Sequence, residues 1–306
     1  LPEGIIFSSQ SQIDSFQITY PNCTQIEGYV IIDGNDINNF NGLNSLTSIG
    51  EEFYISHDSA LVDITGLENL NSVGDRFIIA FNPLLTDLSG LQGINSLGSG
   101  LWFASNNSLV SLSGIENVST VNGGLVVKDN PSLSNLSGLS NITAIDGFLH
   151  IENNDVLTSL DGLNNIDANT ITELIIIFNE NLSSCDVQSI CDYLITPISV
   201  VEIHDNAIGC EDQNQVESAC GVGIKKKRIT ELGITLYPNP CSDFIYLKAD
   251  DKFNLNGVEV YNQTGQIIIN NSSSSTTVEV SHLPKGLYFI NIITSETTIW
   301  LKFIKE

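Results

Sequence analysis

The stretch GSGLWFASNN, residues 98–107, sets four apolar residues in a row and then an Asn pair. Alternation along a strand sends Leu101 and Phe103 to one face and Trp102 to the other. One window cannot say which face is the core, but the window recurs. Equivalent stretches are FYIS (53–56), FIIA (77–80), LVVK (125–128) and LHIE (149–152). A polar residue follows each at a fixed distance, giving the column Asp58, Asn82, Asn106, Asn130 and Asn154. Glycine stands at 42, 66, 90, 114, 138 and 162, a constant step of 24, and each is followed by Leu or Ile.

A fixed period of this size marks a stacked, quasi-one-dimensional architecture. The apolar residues arrive in short bursts without helical spacing, so each turn contributes strands to parallel sheets. At one corner the Asn amide can bond backbone groups of its own and neighbouring turns. At another corner Gly supplies a conformation, or a close approach, that a Cβ would hinder. These are structural roles. Repeats run over residues 28–182, from an incomplete first turn at GYVIIDG (28–34). Asn179 lies 25 residues after Asn154, which places one inserted residue near 169–172, and Asn206 closes a last, irregular turn.

Open ends of such a stack need caps. Residues 1–27 form the first, with a helix over 8–20 whose capping box would be Ser9 and Gln12. Residues 183–220 form the second, with helices near 186–194 and 212–220. Six cysteines stand at 23, 185, 191, 210, 220 and 241, none in a C-x-x-C pair, and only four histidines accompany them. That favours disulfides in an oxidising compartment over a metal site. The four within 185–220 allow three connectivities. Cys185–Cys210 with Cys191–Cys220 is favoured, because each bond ties a helix to its neighbour. Cys23 is left over, its partner expected upstream of Leu1. Residue 1 is Leu and no Met occurs, which reads as a trimmed piece of a precursor carrying a signal peptide.

Residues 1–224 hold 28 Asp and Glu against Arg76 and Lys128 alone, whereas 225–306 hold nine cations and eight acids. The step marks a domain boundary, and the acidic part would repel nucleic acid. No D-x-[DN]-x-[DN]-G calcium loop occurs, and no apolar run approaches the roughly 18 residues of a membrane span.

On the main sheet the inward pairs are Phe53/Ile55, Phe77/Ile79, Leu101/Phe103, Leu125/Val127 and Leu149/Ile151. The outward column then reads Val30, Tyr54, Ile78, Trp102, Val126, His150 and Ile175. A second runs Ile32, Ser56, Ala80, Ala104, Lys128, Glu152 and Ile177. Eight strands at about 4.8 Å would extend this surface for roughly 38 Å. Aromatic and β-branched residues suit exposed strands for reasons of propensity alone. Contiguous apolar surface with Trp and Tyr also marks binding sites. On the second reading, the candidate ligand residues are Tyr54, Arg76, Ile78, Trp102, Val126, Lys128 and His150.

Residues 1–220 resemble the receptor L-domain family, a right-handed, leucine-rich-repeat-like β-helix. The likeness rests on GLENLNSVGDRFII (66–79) and GLSNITAIDGFLHI (138–151), as in bacterial surface proteins with that repeat. It implies a secreted ligand-binding or adhesive scaffold and brings no catalytic residue or cofactor; a monomer is expected. Serine-hydrolase, zincin and P-loop motifs are lacking too, so a non-enzymatic role is expected.

A basic run, KKKR (225–228), lies in a linker over 221–231. Residues 232–306 read as short strands, FIYLKA, GVEVYN, QIIIN, TTVEVS, GLYFINII and TIWLKFI, the pattern of an antiparallel β-sandwich. This tail resembles the C-terminal sorting domain of the type IX secretion system of Bacteroidota. YPNP (237–240), VEVYNQTGQ (258–266), LPKGLYFINI (283–292) and KFIK (302–305) carry the likeness. The matching residues include Tyr237, Pro238, Asn239, Pro240, Gly286, Tyr288, Lys302 and Lys305. The resemblance implies recognition by that machinery, cleavage of the tail near the linker, and release or anchoring at the outer cell surface. Cys241 departs from the small residues usual after YPNP and is expected to be unpaired.

Overall fold

A computed structural model of the chain describes residues 1–195, 197, 200–221, 235–248, 255–271, 275–294 and 298–306. The chain divides into two compact units, Leu1–Val222 and Gly223–Glu306, each with its own core. The expected linker and its KKKR run fall almost wholly outside the described residues.

The first unit is built on two parallel sheets. Nine strands form the larger one in chain order: Ile5–Phe7, Val30–Ile32, Phe53–Ser56, Phe77–Ala80, Leu101–Ala104, Leu125–Lys128, Gly147–Glu152, Ile171–Ile177 and Val201–His204. Six two-residue strands, from Gln25–Ile26 to Ala144–Ile145, form the smaller one, also in chain order. Phe53 pairs with Phe77, Phe77 with Leu101, Leu101 with Leu125 and Leu125 with Leu149. The expected inward pairs on these strands are all fully buried. Phe53 and Phe77 stack within the core, with ring centroids 5.0 Å apart.

The Asn column is buried and zips successive turns together. Asn106 Oδ1 accepts from the Asn82 N–H at 3.1 Å, and its Nδ2 donates to the Ile79 carbonyl at 2.9 Å. The same pattern recurs at Asn82, Asn130, Asn154 and Asn179. Just before each column member stands a non-Gly residue in the left-handed region: His57, Phe81, Ser105, Asp129, Asn153 and Phe178. That conformation costs on the order of 1–2 kcal/mol per residue. It turns the chain so that the next side chain points inward, where the buried amide offsets the cost. Glycine meets two demands at the other corner. Gly114 has φ +122° and lies against the Leu88 carbonyl. Gly138 sits in a 3-10 turn, Ser137–Leu139, yet a Cβ there would still strike the Leu112 carbonyl. Close approach is the demand common to both.

Three details differ from the sequence expectation. The N-terminal helix over 8–20 is two short ones, Gln10–Asp14 and Phe16–Thr19. They break at Ser15, whose hydroxyl donates back to the Ser11 carbonyl at 2.7 Å. Ser9 makes no side-chain cap; Gln12 Oε1 instead accepts from the Ser8 N–H. The N-terminal residues also add a strand, Ile5–Phe7, which pairs with Val30–Ile32 as the first of the sheet. The third correction concerns Val30 and Ile32, which point inward and are fully buried. Val30 pairs with Phe53, a step one residue short of the period, so Ile31 stands beside Tyr54. The insertion near 169–172 is Thr172: Gly147 pairs with Ile171, but Phe148 pairs with Glu173.

At the C-terminal end, helices Gln188–Ile195 and Gln213–Ala219 flank the last strand. Asp212 caps the second by accepting from the Gln215 N–H at 2.8 Å. Cys185–Cys210 and Cys191–Cys220 are disulfide-bonded, with Cα separations of 5.6 and 5.4 Å. Each contributes on the order of 3 kcal/mol. Cys23 and Cys241 are free.

The second unit packs a three-stranded antiparallel sheet (Thr235–Tyr237, Phe244–Lys248, Thr277–Glu279) with a four-stranded one. The latter runs in the order Ile267–Asn271, Leu255–Tyr261, Gly286–Thr294, Thr298–Lys305. Both sheets feed one core, which includes Cys241, Ile245, Val260, Ile290 and Phe303.

Candidate functional site

Strand register aligns Tyr54, Ile78, Trp102, Val126 and His150 in one column on the outer face of the nine-stranded sheet. Ile31 precedes them and Ile175 follows. Two residues further along each strand is the second column, Ser56, Ala80, Ala104, Lys128, Glu152 and Ile177. Ile78 and Val126 are buried although they face away from the core. Each is the register partner of Trp102 on an adjacent strand, within the reach of a large cross-strand side chain.

Around Trp102 the outer face is mixed in character. The Arg76 guanidinium lies over the indole, 5.8 Å from its centroid, while Nη2 donates to Glu52. Trp102 and Phe148 rings are 6.4 Å apart, and Phe148 and His150 rings 4.7 Å apart. His150 Nε2 meets Glu173 Oε1 at 3.0 Å. Lys128 Nζ donates to Glu152 Oε2 at 2.6 Å. Those bonds raise the Arg76 pKa, chiefly through Glu52, and the Lys128 pKa, chiefly through Glu152. Both cations therefore stay charged and paired. The result is a chain of aromatic faces in which each of these charged side chains has a hydrogen-bond partner within the strip.

Phe148, Glu52 and Glu173 belong to this cluster and were not among the sequence candidates. Phe148 was legible in one respect. Its repeat column carries Gly100 and Gly124, and the missing side chains make room for large neighbours. A Cβ on Gly124 would strike the Phe148 ring, and one on Gly100 would come within 2.9 Å of Trp102 Nε1. That Nε1 is buried and without a hydrogen-bond partner.

A second concavity, of 830 Å³, lies at the C-terminal end of the stack. Phe178, His204 and the acids Asp155, Glu180, Asp205, Glu211 and Asp212 line it. No group of three or more His, Cys, Asp or Glu among the described residues is arranged to hold a metal ion.

In the second unit Tyr237 is half-exposed, and Asn239 and Lys302 are exposed. Tyr288 is buried; its hydroxyl donates to the Pro284 carbonyl at 2.9 Å, and its ring stacks on Phe303. Lys305 is also buried, with Nζ donating to the Glu306 carbonyl. Residues 235–306 match the family described as the secretion system C-terminal sorting domain. No curated protein matches the chain. The match implies export through type IX secretion, to the cell surface or beyond. No helix among the described residues is long and apolar enough to cross a membrane.

Proposed function

We propose that the first unit is a right-handed β-solenoid of the receptor L-domain kind, acting as a monomeric, non-enzymatic recognition module on the cell surface. Its ligand is a neutral glycan held on the outer face of the main sheet. The observation that supports this is the row Arg76, Trp102, Phe148 and His150, with every charge partnered inside the strip. A charged ligand would have to break ion pairs. A sugar ring brings apolar C–H faces to the aromatic rings and hydroxyls to the carboxylates and cations at their edges.

Glycan-array binding by the purified chain tests this. Trp102→Ala and Tyr54→Ala should each abolish binding, and binding that survives both removes the proposed face. Cleavage of a polysaccharide by the same preparation would overturn the non-enzymatic assignment. A second reading, that the stack is a spacer or accessory to a larger surface protein, draws on the burial of Ile78 and Val126. That burial leaves less open apolar area than the sequence promises. The absence of binding to any arrayed glycan favours it.

A further inference from the structure

The strand Thr298–Lys305 lies at the edge of its sheet, and among the described residues Gly286–Thr294 is the one full strand it pairs with. Its other edge would leave backbone groups open, the usual weakness of an edge strand. At the C-terminal end that edge is closed by the YPNP turn, more than sixty residues earlier in the chain. Asn239 Oδ1 accepts from the Ile304 N–H at 2.9 Å, and its Nδ2 donates to the Lys302 carbonyl at 3.2 Å. Cys241 continues the contact. Its N–H donates to the Ile304 carbonyl at 2.9 Å, and its carbonyl accepts from the Glu306 N–H at 2.9 Å. The thiol side of Cys241 is buried in the core, which anchors the strap.

Only an amide side chain serves here, because it offers a donor and an acceptor side by side as a peptide group does. Asp could accept but not donate, and Ala could do neither. The clasp leaves the side chains of Tyr237, Lys302 and Ile304 exposed.

We propose that Asn239 is the positioning residue of the sorting signal. It clasps the terminal strand, so that the secretion machinery meets the YPNP turn and residues 302–306 as one composite surface. This rests on the reading of 232–306 as the sorting domain.

The test uses the full chain with Asn239→Ala, Asn239→Asp and a deletion of 232–306. Two quantities are read: amide hydrogen exchange at Ile304 and Val260, and the fraction of chain reaching the surface or medium. In Asn239→Ala, Ile304 protection should fall roughly five- to tenfold, the loss of one hydrogen bond. Val260, in the core, should be unchanged and arrival should drop several-fold. Asn239→Asp keeps the acceptor, so Ile304 should remain protected and arrival should be partly restored. Unchanged Ile304 exchange in Asn239→Ala, or wild-type arrival despite lost protection, overturns the clasp. Should Val260 also lose protection in Asn239→Ala, Asn239→Asp decides: arrival with Ile304 protected supports the clasp, and no arrival overturns it. Normal arrival of the deleted chain would instead sink the sorting reading itself.

Discussion

Two columns run down the same stack of strands, one turned inward and one outward. The inner column is nearly monotonous, an Asn at each turn from Asn82 to Asn179. The outer one changes chemistry at each step, from Tyr54 through Ile78, Trp102 and Val126 to His150. Every inner residue must satisfy the same two backbone groups of the preceding turn, so one side chain fits all positions. Outward residues answer only to their lateral neighbours and to solvent. Repetition here marks a structural demand, and variation marks freedom from that demand.

The sharpest way to break that contrast is Asn106→Leu, which keeps the volume and deletes the amide. It strands the buried Asn82 N–H and Ile79 carbonyl. At roughly 1–3 kcal/mol for each unsatisfied group, the loss should be on the order of 3–5 kcal/mol by denaturant unfolding of the full chain. A loss below 1 kcal/mol would mean that the ladder is dispensable.

Asp58 is the exception inside the inner column and should respond with opposite sign. Its Oδ1 accepts from the Gly34 N–H at 2.8 Å, but Oδ2 is buried without a partner, where each Asn carries its donating amide. Burial pushes the carboxyl pKa up from 3.8 to about 7, against the Gly34 bond and with help from Asp33 and Asp36. The folded chain therefore holds a proton that the unfolded chain has released between these values. The Asp58 contribution is fully present below about pH 4 and is lost as pH rises through about 7. Asp58→Asn should stabilise the chain by on the order of 1–3 kcal/mol at pH 8. It should also remove that part of the pH slope between 4 and 7. Parallel wild-type and variant curves over that range would refute a proton-bearing Asp58.

The smallest effect belongs to the outer column. Trp102→Ala should cost about 1 kcal/mol, from half-buried area and the Arg76 contact. A loss matching that of Asn106→Leu would make Trp102 a structural residue and erase the contrast.

Much of the first unit was legible because a repeat reports each constraint several times. The inward pairs, the Asn column and an insertion near 169–172 could be read from phase and spacing, and the favoured pairing of the four clustered cysteines is the one formed. Where the period broke, the reading slipped. The first turn is one residue short, which flips every side chain of its strand and carries Val30 and Ile32 into the core. Residues 5–7 have no counterpart in phase, so their place at the head of the sheet was invisible.

The sequence by itself determined the 24-residue spacing of the apolar and Asn columns and the sorting tail, because each rests on spacing along the chain. Only the tertiary structure decided what meets across turns. Arg76 settles on Trp102, Phe148 fills the space over Gly124, and Asn239 reaches the terminal strand. Those contacts depend on side-chain reach between strands, which a one-dimensional pattern leaves open.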